Sequence, residues 1–271
     1  TTDDAAAVGP SEDMPNSWRY DNGTLRTDVD PGISLFSMDA LPEGATAQGI
    51  DVSEWNGDID WAQVKAAGID FAILRIGYGS SSVDDEFADN VRGCKANDIP
   101  FGVYVYCYAW DAASARSEAN GTVTRLQNAG VSPSDLSLPV YYDMENERRG
   151  TKIPSGVDGN NQYHDIEGGA ATFDSMASTF ASVLQGSGYD VGIYANLTWW
   201  NNYLTDPAFN QWDRWVAQYN TACSYEGEYS AWQYTASGSV PGINGAVDMN
   251  WWYGTPSTDG VGVSADFEGT R

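Results

Sequence analysis

From Gln48 onward, short apolar runs of strand length alternate with stretches of helical spacing. Gly49-Ile50-Asp51-Val52-Ser53 reads as a first strand. Asp60 can cap a helix over residues 61–67 that stops at Gly68. Residues 71–76 are nearly all apolar, the pattern of a strand buried on both faces. Asp84 can cap a second helix running to about Ala96. Residues 101–108 form a third strand, 112–128 a third helix ended by Gly130, 138–145 a fourth strand, 170–184 a fourth helix and 191–195 a fifth strand. Three shorter runs follow, 214–219, 230–234 and 245–250, with no full helix between them. Alternating β and α elements imply parallel strands. Five β/α units and three further strands predict an α/β barrel with a simplified second half, at a length routine for that architecture.

Residues 1–47 stand apart from the barrel predicted over 48–271. They are rich in Asp, Pro, Gly, Ser and Thr, and read as an irregular extension, packed on the barrel or partly mobile. Within them, Asn22-Gly23 suits the tight turn of a small hairpin. No run of about 18 apolar residues occurs, so no membrane span is expected. Thirteen basic against 38 acidic residues give a net charge of −25, which argues against nucleic acid and anionic lipid as partners. Cys94, Cys107 and Cys223 have no metal-ligand spacing, and buried free thiols are expected ahead of the alternative, a Cys94–Cys107 bridge. His164 is the sole histidine, in a Gly/Asn-rich loop, and reads as structural or solvent-exposed. Neither a metal nor a cofactor is expected.

In barrels of this kind chemistry sits at the carboxyl ends of the strands. Asp51 ends strand one, Asp143 and Glu145 end strand four, and Asp248 lies near the end of strand eight. Strands one and eight are neighbours in a closed barrel, with strand four across the mouth. Each acid alone has a bland reading as a turn or capping residue. Together they predict four carboxylates converging on one cup. Asp143-Met144-Glu145 is the most telling part. In an extended strand i and i+2 share a face, roughly 6–7 Å apart at the backbone. Two carboxyls that close resist ionising together, so one keeps its proton near neutral pH. A proton donor beside an anion is what cleavage of a glycosidic bond requires. With 11 Trp and 16 Tyr, the chain also has flat rings to stack on sugars. Tyr106, Tyr108, Tyr194, Trp232 and Tyr234 are predicted to line the rim, with Arg75 a further substrate contact.

These residues carry a resemblance. Residues 49–79 (GIDVSEWNGDIDWAQVKAAGIDFAILRIGYG) resemble the opening of family 25 glycoside hydrolases, the Chalaropsis-type lysozymes or N-acetylmuramidases. Further matches run in order: Asp85-Glu86-Phe87 leading to Asn90, then residues 101–106, 139–145, 193–196, 215–219, 232–234 and 247–250. Cys107 departs from the family pattern, where a small or polar residue is more usual. The resemblance implies a flattened, TIM-like (β/α)5β3 barrel. It implies that Glu145 is the general acid, Asp143 its partner, and Asp51 and Asp248 the other acids of the site. The implied substrate is the glycan strand of peptidoglycan, cut with retention either by direct attack of Asp143 or, favoured because two acids side by side on one strand are poorly placed to flank a sugar, with help from the substrate's 2-acetamido group. The expected setting is a secreted or wall-associated monomer, and repulsion between a chain of charge −25 and a polyanionic wall points either to work in acid or salt or to a basic wall-binding module in a longer precursor. The rival readings are a glycan-binding barrel without catalysis and another N-acetylhexosamine-specific barrel glycosidase. A chitinase-type D-x-x-D-x-D-x-E run is absent, since Val140, Tyr141 and Tyr142 precede Asp143.

Overall fold

Eight strands close into a barrel in the computed structural model, which describes residues 20–21, 24–25, 41–148 and 151–254. They are β1 (Ala47–Val52), β2 (Phe71–Tyr78), β3 (Phe101–Tyr106), β4 (Val140–Asp143), β5 (Val191–Asn196), β6 (Asp213–Ala217), β7 (Ala231–Gly238) and β8 (Val247–Trp252). Each strand pairs with the next, and β8 returns to β1. Five helices follow the first five strands: α1 (Trp61–Ala66), α2 (Phe87–Ala96), α3 (Ala112–Asn128), α4 (Ala170–Gly186) and the short α5 (Leu197–Asn202). This is the predicted succession of five β/α units and three strands.

Strand parity sorts the core into two layers. Phe71, Ile73, Tyr104, Tyr141, Tyr194, Trp215 and Trp252 pack together inside the barrel. The alternate residues, such as Ile50, Leu74, Val103, Tyr142 and Ile193, pack outward with the apolar faces of the helices. Burial on both faces is why β2 to β5 read as near-continuous apolar runs. Asp60 caps α1 as predicted, its carboxylate accepting the Gln63 N–H at 3.2 Å.

Two expectations need correction. Strands β1 to β7 run parallel in sequence, but β8 is antiparallel to both neighbours. The link from β7 to β8 is too short for a crossover, which needs a dozen or more residues. Asp248 therefore lies at the start of β8, and the reversal brings that start to the same rim as the ends of the parallel strands. Asp84 does not cap α2. The helix begins after Glu86 without a side-chain cap, and Asp84 is buried against Arg75 instead. Much of the extension predicted over residues 1–47 lies outside the described residues. Within it, Tyr20–Asp21 pairs antiparallel with Thr24–Leu25, as expected of strands flanking Asn22-Gly23.

Candidate active site

Register places the acids. Asp51 on β1 lies directly opposite Asp248 on β8. Asp143 closes β4, with Tyr106 of β3 on one side and Tyr194 of β5 on the other. Sheet pairing carries one residue further, through the Met144 N–H to the Tyr194 carbonyl at 2.9 Å. Met144 packs in the outer layer, so alternation returns Glu145 to the face of Asp143. The electrostatics agree: the buried phenol of Tyr194 is pushed up by burial first, then by Glu145, Tyr219, Asp143 and Asp51. Three of the four predicted carboxyls thus act on one ring. Asp248, half-buried, joins them through Gln233.

Asp143 is 1% exposed and Glu145 0%. Glu145 is thus wholly buried. Neither oxygen of Asp143 has a hydrogen-bond partner among the described residues. Burial drives its carboxyl well above the usual range, and the charges of Glu145 and Asp51 add to this, against a partial offset from Arg75. Asp51 differs. Its Oδ2 accepts Nε2 of Gln233 and Nδ2 of Asn250, both at 2.8 Å. Burial raises it to about 6, and those amides restrain the rise.

Gln233 and Asn250 escaped the reading by residue type. Gln233 Oε1 accepts the Tyr194 hydroxyl at 3.0 Å and the Tyr219 hydroxyl at 3.1 Å, while its Nε2 serves Asp51 and, at 3.4 Å, Asp248. Asn250 is fixed in turn by the indole N–H of Trp215, which donates to its Oδ1 at 2.8 Å. The signal for both was parity: each is a buried amide at the position of a strand that faces into the barrel.

The aromatic predictions divide. Tyr106 and Tyr194 flank Asp143, and the half-buried Tyr108 packs its ring against Tyr106 (5.6 Å) and Tyr78 (5.4 Å). Trp232 and Tyr234 do not line the mouth. They flank Gln233 on β7, so they project from the opposite face, where Tyr234 stacks on Trp251 at 4.9 Å and 12°. Arg75 is buried beside the cluster but engaged: Nε meets Asp84 at 2.6 Å and Nη2 meets Glu54 at 2.7 Å. It serves as a countercharge near Asp143, with no free face for a sugar. Cys94 and Cys107 are buried free thiols and Cys223 a half-buried one. His164 is partly exposed, stacked on Trp110 at 4.2 Å with Nε2 3.1 Å from Asp158. Among the described residues no cluster of His, Cys, Asp and Glu could hold a metal, and no helix is long and apolar enough to cross a membrane.

Known proteins resemble this chain in sequence and fold. The chain is 28% identical over 227 residues to Lysozyme M1 of Streptomyces globisporus, covering 77% of this chain and 68% of the relative. It is 24% identical over 204 residues to the autolytic lysozyme of Clostridium acetobutylicum, covering 75% and 55%. Among solved structures, the modular autolysin LytC of Streptococcus pneumoniae superposes with a TM-score of 0.67 at 31% identity, over 76% of this chain and 46% of that one. The bacterial lysozyme of Streptomyces coelicolor does so with a TM-score of 0.60 at 26% identity, over 78% and 94%. The chain thus spans less than half of the pneumococcal protein and just over half of the clostridial one. The sequence profile of glycosyl hydrolases family 25 matches residues 50–243, which take in Asp51, Asp143 and Glu145 but stop short of Asp248. On that match, well over half of its length, the chain belongs to glycosyl hydrolases family 25.

Proposed function

We propose that this chain is a peptidoglycan muramidase that cleaves the β-1,4 bond between N-acetylmuramic acid and N-acetylglucosamine, with retention at the anomeric carbon. The observation that carries the reading is the register that sets Asp143 beside Tyr194 and Asp51 opposite Asp248, with alternation returning Glu145 to the face of Asp143. Supporting it are the lysozymes among its relatives and a structure of the pneumococcal autolysin with a synthetic peptidoglycan ligand.

Glu145 protonates the leaving oxygen, a step worth about 10²–10⁴-fold in rate. Positive charge then builds at the anomeric carbon. Asp143 and Glu145 share one face of one strand, which suits them poorly to flank a sugar from opposite sides. The 2-acetamido oxygen of the substrate therefore attacks, and Asp143 orients and stabilises that group. A buried carboxyl without a hydrogen-bond partner gains one when the acetamido N–H donates to it, which favours its charged form at the moment the charge is needed. Glu145, now a base, activates the water that opens the intermediate. Asp51 and Asp248, tied through Gln233, set the negative field of the mouth. Because Glu145 has no exposed surface in this state, side chains at the mouth must shift to admit the sugar. The protein acts on cell walls as a monomer, and a wall-binding module elsewhere in a longer protein belongs to the same reading.

Mass spectrometry of digested peptidoglycan tests the proposal. Products ending in a reducing muramic acid are expected, and reducing N-acetylglucosamine ends would overturn the bond assignment. Glu145→Gln should keep the fold and lose turnover; substantial residual lysis would remove Glu145 from its role.

A further inference from the structure

One buried carboxylate has no part in the acid cluster. Glu118 lies on α3, outside the barrel wall, and is 2% exposed. Its Oε1 accepts the backbone N–H of Tyr108 at 2.7 Å, and its Oε2 accepts the Tyr142 hydroxyl at 2.6 Å. The two partners belong to different elements. Tyr108 opens the loop after β3, and Tyr142 immediately precedes Asp143 on β4. Tyr142 is already fixed without Glu118: its ring stacks on Phe180 of α4 at 4.1 Å and 7°, and its oxygen accepts the Cys107 thiol at 3.0 Å. Tyr108 is tied at its carbonyl, which accepts the Val157 N–H at 2.8 Å, while its own N–H is held by Glu118. It is half-buried, on a loop, and its ring leans on Tyr78 and Tyr106.

The same helix holds the facing loop. Two turns beyond Glu118, the Arg125 guanidinium donates to the carbonyls of Tyr78 (3.3 Å), Gly79 (3.0 Å) and Ser82. Between the two clamped loops opens a cavity of about 620 Å³, walled by Tyr78, Tyr108 and Trp110, with Glu118 in its lining. An ionisable group in this place costs desolvation that an apolar residue would avoid. What the carboxylate supplies is an acceptor that reaches from a rigid helix to a loop N–H beside the mouth.

We propose that Glu118 is a positioning residue for substrate affinity: by gripping the backbone of Tyr108 from α3, it holds the Tyr78–Tyr108 aromatic edge of this cavity in place to receive an N-acetylated sugar. This deepens the muramidase reading and rests on it. The grip lies remote from the reacting atoms, so it acts on sugar binding in ground and transition states alike.

The test is steady-state kinetics on a soluble glycan fragment, with cooperative melting checked for each variant. Glu118→Met keeps the volume and removes both acceptors. It should raise KM about tenfold or more, the equivalent of one lost hydrogen bond to a charged group, with kcat nearly unchanged. Glu118→Gln still accepts the Tyr108 N–H and should restore KM. Tyr142→Phe, which removes only the other tie, should leave KM close to wild type. A fall in kcat at unchanged KM in Glu118→Met, or wild-type kinetics throughout, overturns the inference while wild-type cleavage upholds the muramidase reading. If Glu118→Met does not fold, Glu118→Gln and Tyr142→Phe decide it: wild-type KM in both upholds the grip on Tyr108, and a KM raised about tenfold in Tyr142→Phe makes Glu118 a structural tie of β4 and overturns it. A wild type that releases no reducing ends overturns both.

Discussion

Gln233 connects four oxygens with one amide: two phenols donate to it and two carboxylates accept from it. A hydrogen bond to the charged form of an acid lowers its pKa, so Gln233 and Asn250 keep Asp51 from rising further than about 6. Gln233→Leu removes one of these donors. The acid limb of kcat/KM should then move to higher pH. Activity at pH 6 should fall about tenfold or more, the scale of a hydrogen bond to a charged group, and the deficit should shrink at pH 8. A uniform loss across the pH range would mean that Gln233 acts on geometry alone. This residue also shows where reading a sequence succeeds and fails. Asp51, Asp143 and Glu145 were legible because a strand end and an i, i+2 spacing fix both height and face. Trp232 and Tyr234 were chosen for being aromatic, and parity sends them to the outer layer while the amide between them faces the acids.

At the scale of elements, the first four helices and β1 to β7 were legible from their apolar period, helped at α1 by the Asp60 cap and at α1 and α3 by the glycines that follow them. The reversal of β8 was not, since direction is set by the length of a connection and by pairing with β1. Asp248 nevertheless arrives at the mouth, opposite Asp51, because the reversal exchanges the ends of the strand. Asp84 illustrates the limit of local signals: in sequence it is a helix cap, and in the fold its Oδ2 accepts Arg75 Nε and the Glu54 N–H (2.9 Å). Gly77 is the backbone feature on which the end of β2 depends. Its φ is +141°, the register with β3 shifts between Arg75 and Gly77, and a Cβ there would lie 2.0 Å from the Ser82 carbonyl oxygen. Gly77→Ala combines strain with a backbone clash, and should cost about 2–4 kcal/mol. In a chain of this size that is a fall in Tm of roughly 5–15 °C. The measurement is a thermal melt. A Tm unchanged within error would show that the β2 turn relaxes freely around a methyl group.

Across the whole molecule, the formal net charge is −25. Against a polyanionic wall such a surface is repelled at low ionic strength, so lytic activity should rise with moderate salt as the repulsion is screened. A steep fall with salt would contradict this. The pH dependence of folding follows from the interior. Burial raises Asp51 and Asp213 to about 6 and Glu118 to about 7, and drives Asp143 well up. Their unfolded values are the ordinary 3.8 and 4.5, so between about pH 4 and 7 the folded chain binds more protons than the unfolded one. The stability these groups contribute is complete below their unfolded pKa values and is lost as pH rises through 6 to 7. Acids held low work the other way: Asp135, bonded to Lys95 and Ser132 and lowered to about 2, contributes above its unfolded pKa and loses that contribution as pH falls toward 2. The buried set outweighs the exposed one because water screens the latter. Stability should therefore be greatest near pH 4–5, with Tm lower at pH 8 than at pH 5 by on the order of 5 °C or more, from a few kcal/mol of linked protonation. Glu118→Gln removes one of the titrating groups and should flatten the upper part of that slope. A Tm that is level or rises from pH 5 to 8 would mean that the buried carboxyls ionise in the folded barrel at their ordinary values, and that water reaches the acids around Tyr194.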